Sequence, residues 1–160
     1  MNKYINFSKI KLNCHHLHID KSLTLNTERL RLSQTHMTEK WELMRDIKNN
    51  YTEDDLKRRM LLTTTLLVDQ GCYNIRTHID VDQIVDLLPM RVALDVKSYW
   101  KNKGVNLQIG TQLLEPLKKD ENRELFYKAA EMSDFIGCLP SRDGKDKNFH
   151  LDVVFSKAKE

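Results

Sequence analysis

Apolar residues fall along the chain in blocks of two different periodicities. Four runs have the length and boundaries of strands: FSKIKLNCHHLHI (Phe7–Ile19), CYNIRTHIDV (Cys72–Val81), VNLQIGTQLL (Val105–Leu114) and DFIGCLP (Asp134–Pro140), each bounded by Gly, Pro, Asp or Asn. Between them the spacing turns helical. Thr52-Glu53-Asp54-Asp55 reads as a capping box opening a helix whose Leu56, Met60, Leu62, Leu66 and Leu67 fall roughly at helical spacing, with Gly71 ending it. Pro89 suits the first turn of a helix running to about Asn102 and closed by Gly104. Asp120 reads as the cap of a helix through Leu125, Phe126 and Ala129. A last helix, from about Phe149 to Lys159, sets Leu151, Val154 and Phe155 on one face; an earlier one, about Thr38 to Asn49, lies in the long connection after the first strand. Strand and helix alternate, and parallel strands joined by helical crossovers satisfy that order. The pattern predicts an α/β fold over residues 1–160 as one domain: a small open parallel sheet, or roughly half of a (β/α)8 barrel of the TIM type.

Composition restricts the partners. The 26 basic and 23 acidic residues leave a net charge of +3, mixed in sign along the chain. No cluster of Lys and Arg is large enough to track a phosphate backbone, so nucleic acid is not an expected partner. The closest feature, Lys101 to Lys103, reads as a solvated helix end. No apolar stretch approaches the length of a membrane span, and the N-terminal MNKYINFSKIKLNC lacks the apolar core of a signal peptide, so the cytoplasm is the expected location. Three widely spaced cysteines, Cys14, Cys72 and Cys138, predict no disulfide framework and read as small buried hydrophobes.

The segment NCHHLHIDKS, Asn13 to Ser22, sets three of six histidines within four positions. On a strand His16 and His18 project to one face, and His15 and Leu17 to the other. Two neutral imidazoles side by side at the C-terminal end of a strand are good ligands for a divalent metal, and parallel α/β folds carry their chemistry at that end. Taken alone, an H-x-H pair is also compatible with two rings that bond backbone groups. His78, taken alone, can equally be a hydrogen-bonded structural residue or a participant.

In order and spacing, HLHIDKSLT and GCYNIRTHIDVD resemble motifs of the amidohydrolase superfamily. The match is to its cytosine deaminase branch, which includes N-isopropylammelide isopropylaminohydrolase-like enzymes that remove alkylamines from triazine rings. The first motif resembles the metal-binding H-x-H-x-D at barrel strand one and the second the R-T-H-V-D at strand two; VNLQIGTQ resembles strand three and SDFIGCLP strand four. The resemblance implies a barrel holding one divalent metal, Zn²⁺ or Fe²⁺, that acidifies a bound water for attack on a nucleobase-like or triazine-like ring, with hydrolytic deamination or C–N cleavage. It assigns His16 and His18 as metal ligands, places Asp20 and Lys21 behind them, and makes Arg76, Thr77, His78 and Asp80 barrel-lining residues near the site. Where the family has a ring-binding Gln after strand three, this chain has Leu114, followed by Glu115; Gln112 is the substitute if the register slips by two. No catalytic group is assigned. The H-x-E and P-C-x-x-C of the other zinc nucleobase deaminases do not occur.

The resemblance covers only the N-terminal half of such a barrel, without strands five to eight or the β-sandwich before strand one. The later-strand ligands are therefore lacking, and since a catalytic Zn²⁺ takes about three protein ligands, two imidazoles predict weak or absent metal binding and little activity in the isolated chain. Half a barrel also predicts an exposed apolar inner face and two open sheet edges. The expected alternatives are a truncated hydrolase, a non-catalytic remnant, or a subunit completed by a second chain or by a homodimer in which a second copy's strand one takes the place of strand five. A small open α/β domain unrelated to amidohydrolases would leave both motifs without a purpose.

Overall fold

The computed structural model describes residues 12–32, 34 and 36–160. The first part of the expected first strand, residues 7–11, lies outside them. Four strands, β1 (Leu12–Cys14), β2 (Cys72–Val81), β3 (Asn106–Leu113) and β4 (Phe135–Ile136), form one sheet in the order β1-β2-β3-β4. Every pairing is parallel, with Asp80 opposite Gln112, His78 opposite Gly110, and Gly110 opposite Phe135. The helices are α1 (Thr27–Leu32), α2 (Met37–Asn49), α3 (Glu53–Asp69), α4 (Leu88–Lys101), α5 (Asp120–Glu131) and α6 (Lys147–Lys159), with a 3-10 helix over Pro140–Asp146. The alternating βα order and the parallel sheet are as the pattern of the sequence requires.

Period-two patterning decides which face of the sheet is buried. Ile75, Ile79 and Val81 on β2, and Leu107, Ile109 and Leu113 on β3, pack under the helices with Leu56, Met60, Val92, Val96, Phe126 and Ala129. The opposite face carries Asn74, Arg76, His78 and Asp80 from β2 and Asn106, Gln108 and Gln112 from β3. It is polar, not apolar as expected for half a barrel. At its lower end a row of amides crosses three strands: Asn74 Nδ2 donates to Asn13 Oδ1 at 2.8 Å and Asn106 Nδ2 to Asn74 Oδ1 at 3.3 Å. The apolar residues of β2 and β3 occupy the helix-facing parity, so the inner face never receives them.

Several local expectations are corrected. In α3 the cap is as read, with Asp55 N donating to Thr52 Oγ1 at 3.3 Å, but Leu62 and Leu66 are exposed. The buried stripe follows Leu56, Met60 and Thr64 at four-residue steps, and the Thr64 hydroxyl accepts from Trp100 Nε1 at 2.6 Å, tying α3 to α4. Asp120 is the first helical residue of α5 and not its cap; its carboxylate is taken by Arg123. In α6 the buried residues are His150, Val153 and Val154, whereas Phe155 is exposed. Helix α1 was not legible; its N-terminus is held by Asn26, whose Oδ1 accepts from Arg29 N at 2.8 Å. Of the cysteines, all free, Cys72 is buried, Cys14 only partly so, and Cys138 is exposed. Among the described residues no helix is long and apolar enough to cross a membrane.

The segment after β4 is fixed by a buried clamp absent from the sequence reading. His150 Nδ1 meets Asp143 Oδ2 at 2.5 Å, Leu117 N and Lys118 N donate to the same carboxylate at 3.0 Å, and Leu139 N donates to His150 Nε2 at 3.3 Å. One carboxylate and one imidazole thereby join the loops after β3 and β4 to α6.

Candidate active site at the strand ends

Beyond Cys14 the chain stays alongside β2. His78 N donates to Leu17 O at 2.8 Å, and Thr77 Oγ1 accepts from Ile19 N at 3.1 Å and lies 3.2 Å from Leu17 O. Thr77 therefore does not line the barrel interior: it is fully buried on the helix-facing parity and serves to position the histidine segment. That segment brings three rings together. The centroids of His16 and His18 are 5.1 Å apart, of His16 and His78 4.8 Å, and of His18 and His78 5.5 Å. Nδ1 of both His18 and His78 is buried without a hydrogen-bond partner. Burial, then the Lys21 ammonium, pushes the His18 imidazolium down to about 4, and burial with His16 and Arg76 lowers His78 as well. Both shifts favour the neutral ring at physiological pH.

His78 is seated by what lies over it. The Phe135 ring stands perpendicular to it, with centroids 5.1 Å apart, and the Arg76 guanidinium lies over the Phe135 ring at 4.2 Å. Gly110 leaves the space Phe135 occupies, because a Cβ there would stand 2.2 Å from the ring. A Cβ on Gly137 would stand 2.5 Å from His78 Nδ1 and 2.9 Å from Thr111 O. Gly137→Ala is therefore expected to swing the His78 ring out of the cluster and to cost about 1–3 kcal/mol. The His78 ring resonances and the urea midpoint check this; an unchanged His78 environment would contradict the seating.

Behind the histidines lies a buried ion network. Asp80 sits between Lys21 and Lys48, each at 2.7 Å, and Lys48 also meets Asp82 at 2.6 Å. Asp82 in turn accepts from Ile84 N and Val85 N at 3.0 and 3.1 Å. Burial alone would raise Asp80, but the two lysines outweigh it and hold its carboxyl below the usual range. Burial would lower Lys48, yet Asp80 and Asp82 keep it above its ordinary value. Asp20 is fully buried and accepts from Asp80 N at 3.2 Å; burial, then the Asp80 charge, lifts it to about 6. Tyr51 and Arg59 donate to the Asp20 carbonyl at 2.8 and 2.7 Å and fix the turn below it. Lys48, Asp82, Tyr51 and Arg59 were missed from the sequence. The available signal was the spacing of Trp41, Arg45 and Lys48 at i, i+4 and i+7, which places one aromatic and two cations on a single face of α2.

The remaining site residues separate. Gln112 lies on the inner face beside Asp80, its Oε1 buried without a partner. Leu114 and Glu115 lie past the end of β3 and wall a cleft with Lys21, Trp41, Leu139 and Arg142. Three imidazoles have the donor chemistry of a divalent metal site. The fit is incomplete, since among the described residues no group of three or more His, Cys, Asp or Glu is disposed to hold a metal ion.

No protein-family model matches the chain. It is 28% identical over 148 residues to an uncharacterised protein of Haemophilus influenzae, a match covering 90% of this chain and 53% of that protein. It is 27% identical over 151 residues to N-isopropylammelide isopropyl amidohydrolase of Pseudomonas sp. strain ADP, covering 91% of this chain and 37% of the relative. Among solved structures it is similar to the 5-methylcytosine deaminase of Klebsiella pneumoniae liganded with phosphonocytosine: TM-score 0.77, 27% identity, with 90% of this chain and 35% of that one covered. The chain thus spans about half the length of the first relative and about a third of the others. Sequence and structure both resemble amidohydrolases of the cytosine deaminase type, and the four βα units are the corresponding part of a TIM-type barrel.

Proposed function

We propose that this chain is the part of a metal-dependent C–N hydrolase that supplies His16 and His18 as two ligands of a divalent ion, Zn²⁺ or Fe²⁺. Its substrate would be a nucleobase-like or triazine-like ring. The observation carrying this is the pair of rings 5.1 Å apart at the end of a parallel strand, His18 being neutral with its Nδ1 unpartnered. The deaminase and amidohydrolase relatives support hydrolytic cleavage of a C–N bond. What a divalent ion brings to such a site is acidification of a bound water. The chain's own residues orient. The Lys21–Asp80–Lys48 network fixes the floor, and Thr77 sets the course of the histidine segment.

The incomplete donor set favours a second element in the same proposal: further ligands come from a partner chain or a second copy, and without them the chain is a non-catalytic subunit. The polar inner face, with Arg76, Gln108 and Gln112, is what a second half would meet. The test is release of ammonia or alkylamine from cytosine and from an N-alkylated triazine, with Zn²⁺ or Fe²⁺ supplied. It compares wild type with His16→Ala/His18→Ala, each fractionated by native mass. Turnover confined to an assembled fraction and abolished by the double substitution is expected. Turnover that survives the double substitution would refute the ligand assignment, and metal-loaded assemblies that hydrolyse neither ring would leave only the subunit role.

A further inference from the structure

Among the described residues the four-stranded sheet ends in two open edges, β1 on one side and β4 on the other. Of the helices that return over it, α3 packs on β2 and α4, and α6 packs on β4, so these two end the helical layer. Their contacts fix which way each face points. In α3, Lys57 meets Asp95 at 3.4 Å and Thr64 Oγ1 accepts from Trp100, so the side carrying residues 57 and 64 faces α4. At about 100° per residue, Leu62 and Leu66 lie on the side turned away from α4, towards the β1 edge. In α6, Lys157 meets Glu131 at 3.3 Å and the Phe149 ring lies under Arg123, so that side faces α5. Phe155 lies on the opposite side, towards the β4 edge. Leu62, Leu66 and Phe155 are 44%, 48% and 60% exposed. Each end of the helical layer therefore presents apolar side chains where a further helix would pack.

The charges beside these residues select the occupant. On α3, Arg58, Leu62, Leu66 and Asp69 follow one face at steps of four, four and three; on α6, Asp152, Phe155 and Lys159 do so at steps of three and four. Helices that return between parallel strands are themselves parallel, so α3 and α6 across a joined edge would point the same way. Setting Phe155 between Leu62 and Leu66 then brings Asp152 towards Arg58 and Lys159 towards Asp69. The two faces match, apolar to apolar and basic to acidic, yet they stand at opposite ends of one layer. Asp69, Asp152 and Lys159 form no ion pair among the described residues, and Arg58 meets only Asp55 of its own helix, at 2.8 Å. Two different faces that fit each other and do not meet within one molecule are what a ring closed by a second copy requires. We propose that a second copy of this chain covers both faces: two copies join edge to edge, β1 of each beside β4 of the other, and α3 of each packs along α6 of the other. This names the partner left open in the function proposed above, and rests on that reading only for the metal the assembled histidines would hold.

The test is sedimentation of the full chain without added metal, over a range of concentrations. A single association step, from one copy to two, is expected. Leu62→Gln/Leu66→Gln and Phe155→Gln should each weaken it about tenfold or more, with urea midpoints unchanged at concentrations where the chains are single. Asp69→Lys should weaken it about tenfold, the contact occurring twice in the assembly, and Asp69→Lys/Lys159→Asp should restore it. A chain that stays single, growth beyond two copies, an association indifferent to both apolar variants, or a charge exchange no better than Asp69→Lys would each overturn the proposal. If an apolar variant fails to fold, the charge exchange decides. The two proposals fail separately. A two-copy assembly of this kind that binds neither Zn²⁺ nor Fe²⁺ supports this inference and defeats the metal reading. Metal held at His16 and His18 by an assembly indifferent to these substitutions does the reverse.

Discussion

Lys48→Ala will destabilise the fold by about 3–5 kcal/mol, the cost of leaving buried charges without their partner. The side chain is 4% exposed and bridges Asp80 and Asp82, which are themselves 1% and 7% exposed. Removing it leaves Asp80 with Lys21 alone and Asp82 with backbone donors alone. It also frees α2, in which only Ile47 and Lys48 are buried, so that the wall carrying Trp41 detaches from the strand ends. An exposed pair makes the control: Lys57 and Asp95, 47% and 60% exposed at 3.4 Å, should cost under about 1 kcal/mol in Lys57→Ala. Urea unfolding at constant m measures both. A Lys48→Ala cost no larger than the Lys57→Ala cost would show that the network is not what holds α2. The pH dependence follows from the two shifts. Lys48 is raised, so its contribution is complete below the unfolded value near 10.5 and is lost as pH rises through the folded one. Asp80 is lowered, so its contribution is complete above the unfolded value near 3.8 and is lost as pH falls through the folded one. Between those limits the network is at full strength.

The second large effect is expected at Asp143. Asp143→Ala removes the acceptor of Leu117 N, Lys118 N and His150 Nδ1 at once, leaving buried donors unpaired, and should cost about 3 kcal/mol. Burial raises the carboxyl, but the hydrogen bonds from His150, Leu117 and Lys118 win and hold it below its ordinary value. Its stabilising contribution is therefore present above the unfolded value near 3.8 and disappears as pH falls through the folded one. Wild-type stability should decline below about pH 5, and the variant's decline over the same range should be shallower. Parallel curves would place the acid sensitivity elsewhere. Because Arg142 precedes Asp143 in the same 3-10 helix, the variant should also loosen the wall of the cleft.

Legibility tracked the range of the interactions. Strand β2 was read to the residue, because CYNIRTHIDV alternates cleanly and is bounded on both sides. Helices α3 and α4 were found because a Thr cap and an early Pro are local signals. The H-x-H pair, Lys21, His78 and Asp80 were legible as motifs, and the structure brings them together. Lys48 was not: a lysine on an amphipathic helix looks solvated until the sheet delivers two carboxylates to it. His150 and Asp143 were not, because their partners lie 7 to 26 residues away and share no spacing rule. Thr77 was assigned to the wrong face because a motif carries residue order and not the parity of each side chain. The apolar inner face was expected from half a barrel in general, whereas the β2 and β3 sequences place Asn, Arg, His, Asp and Gln there.

The most direct test of the central claim measures metal content and native mass on one purified sample supplied with Zn²⁺ or Fe²⁺, for wild type and His16→Ala/His18→Ala. The account predicts near-stoichiometric metal in a species heavier than the single chain, lost in the double variant. Metal retained in the double variant, or an assembled species that binds none, would contradict it.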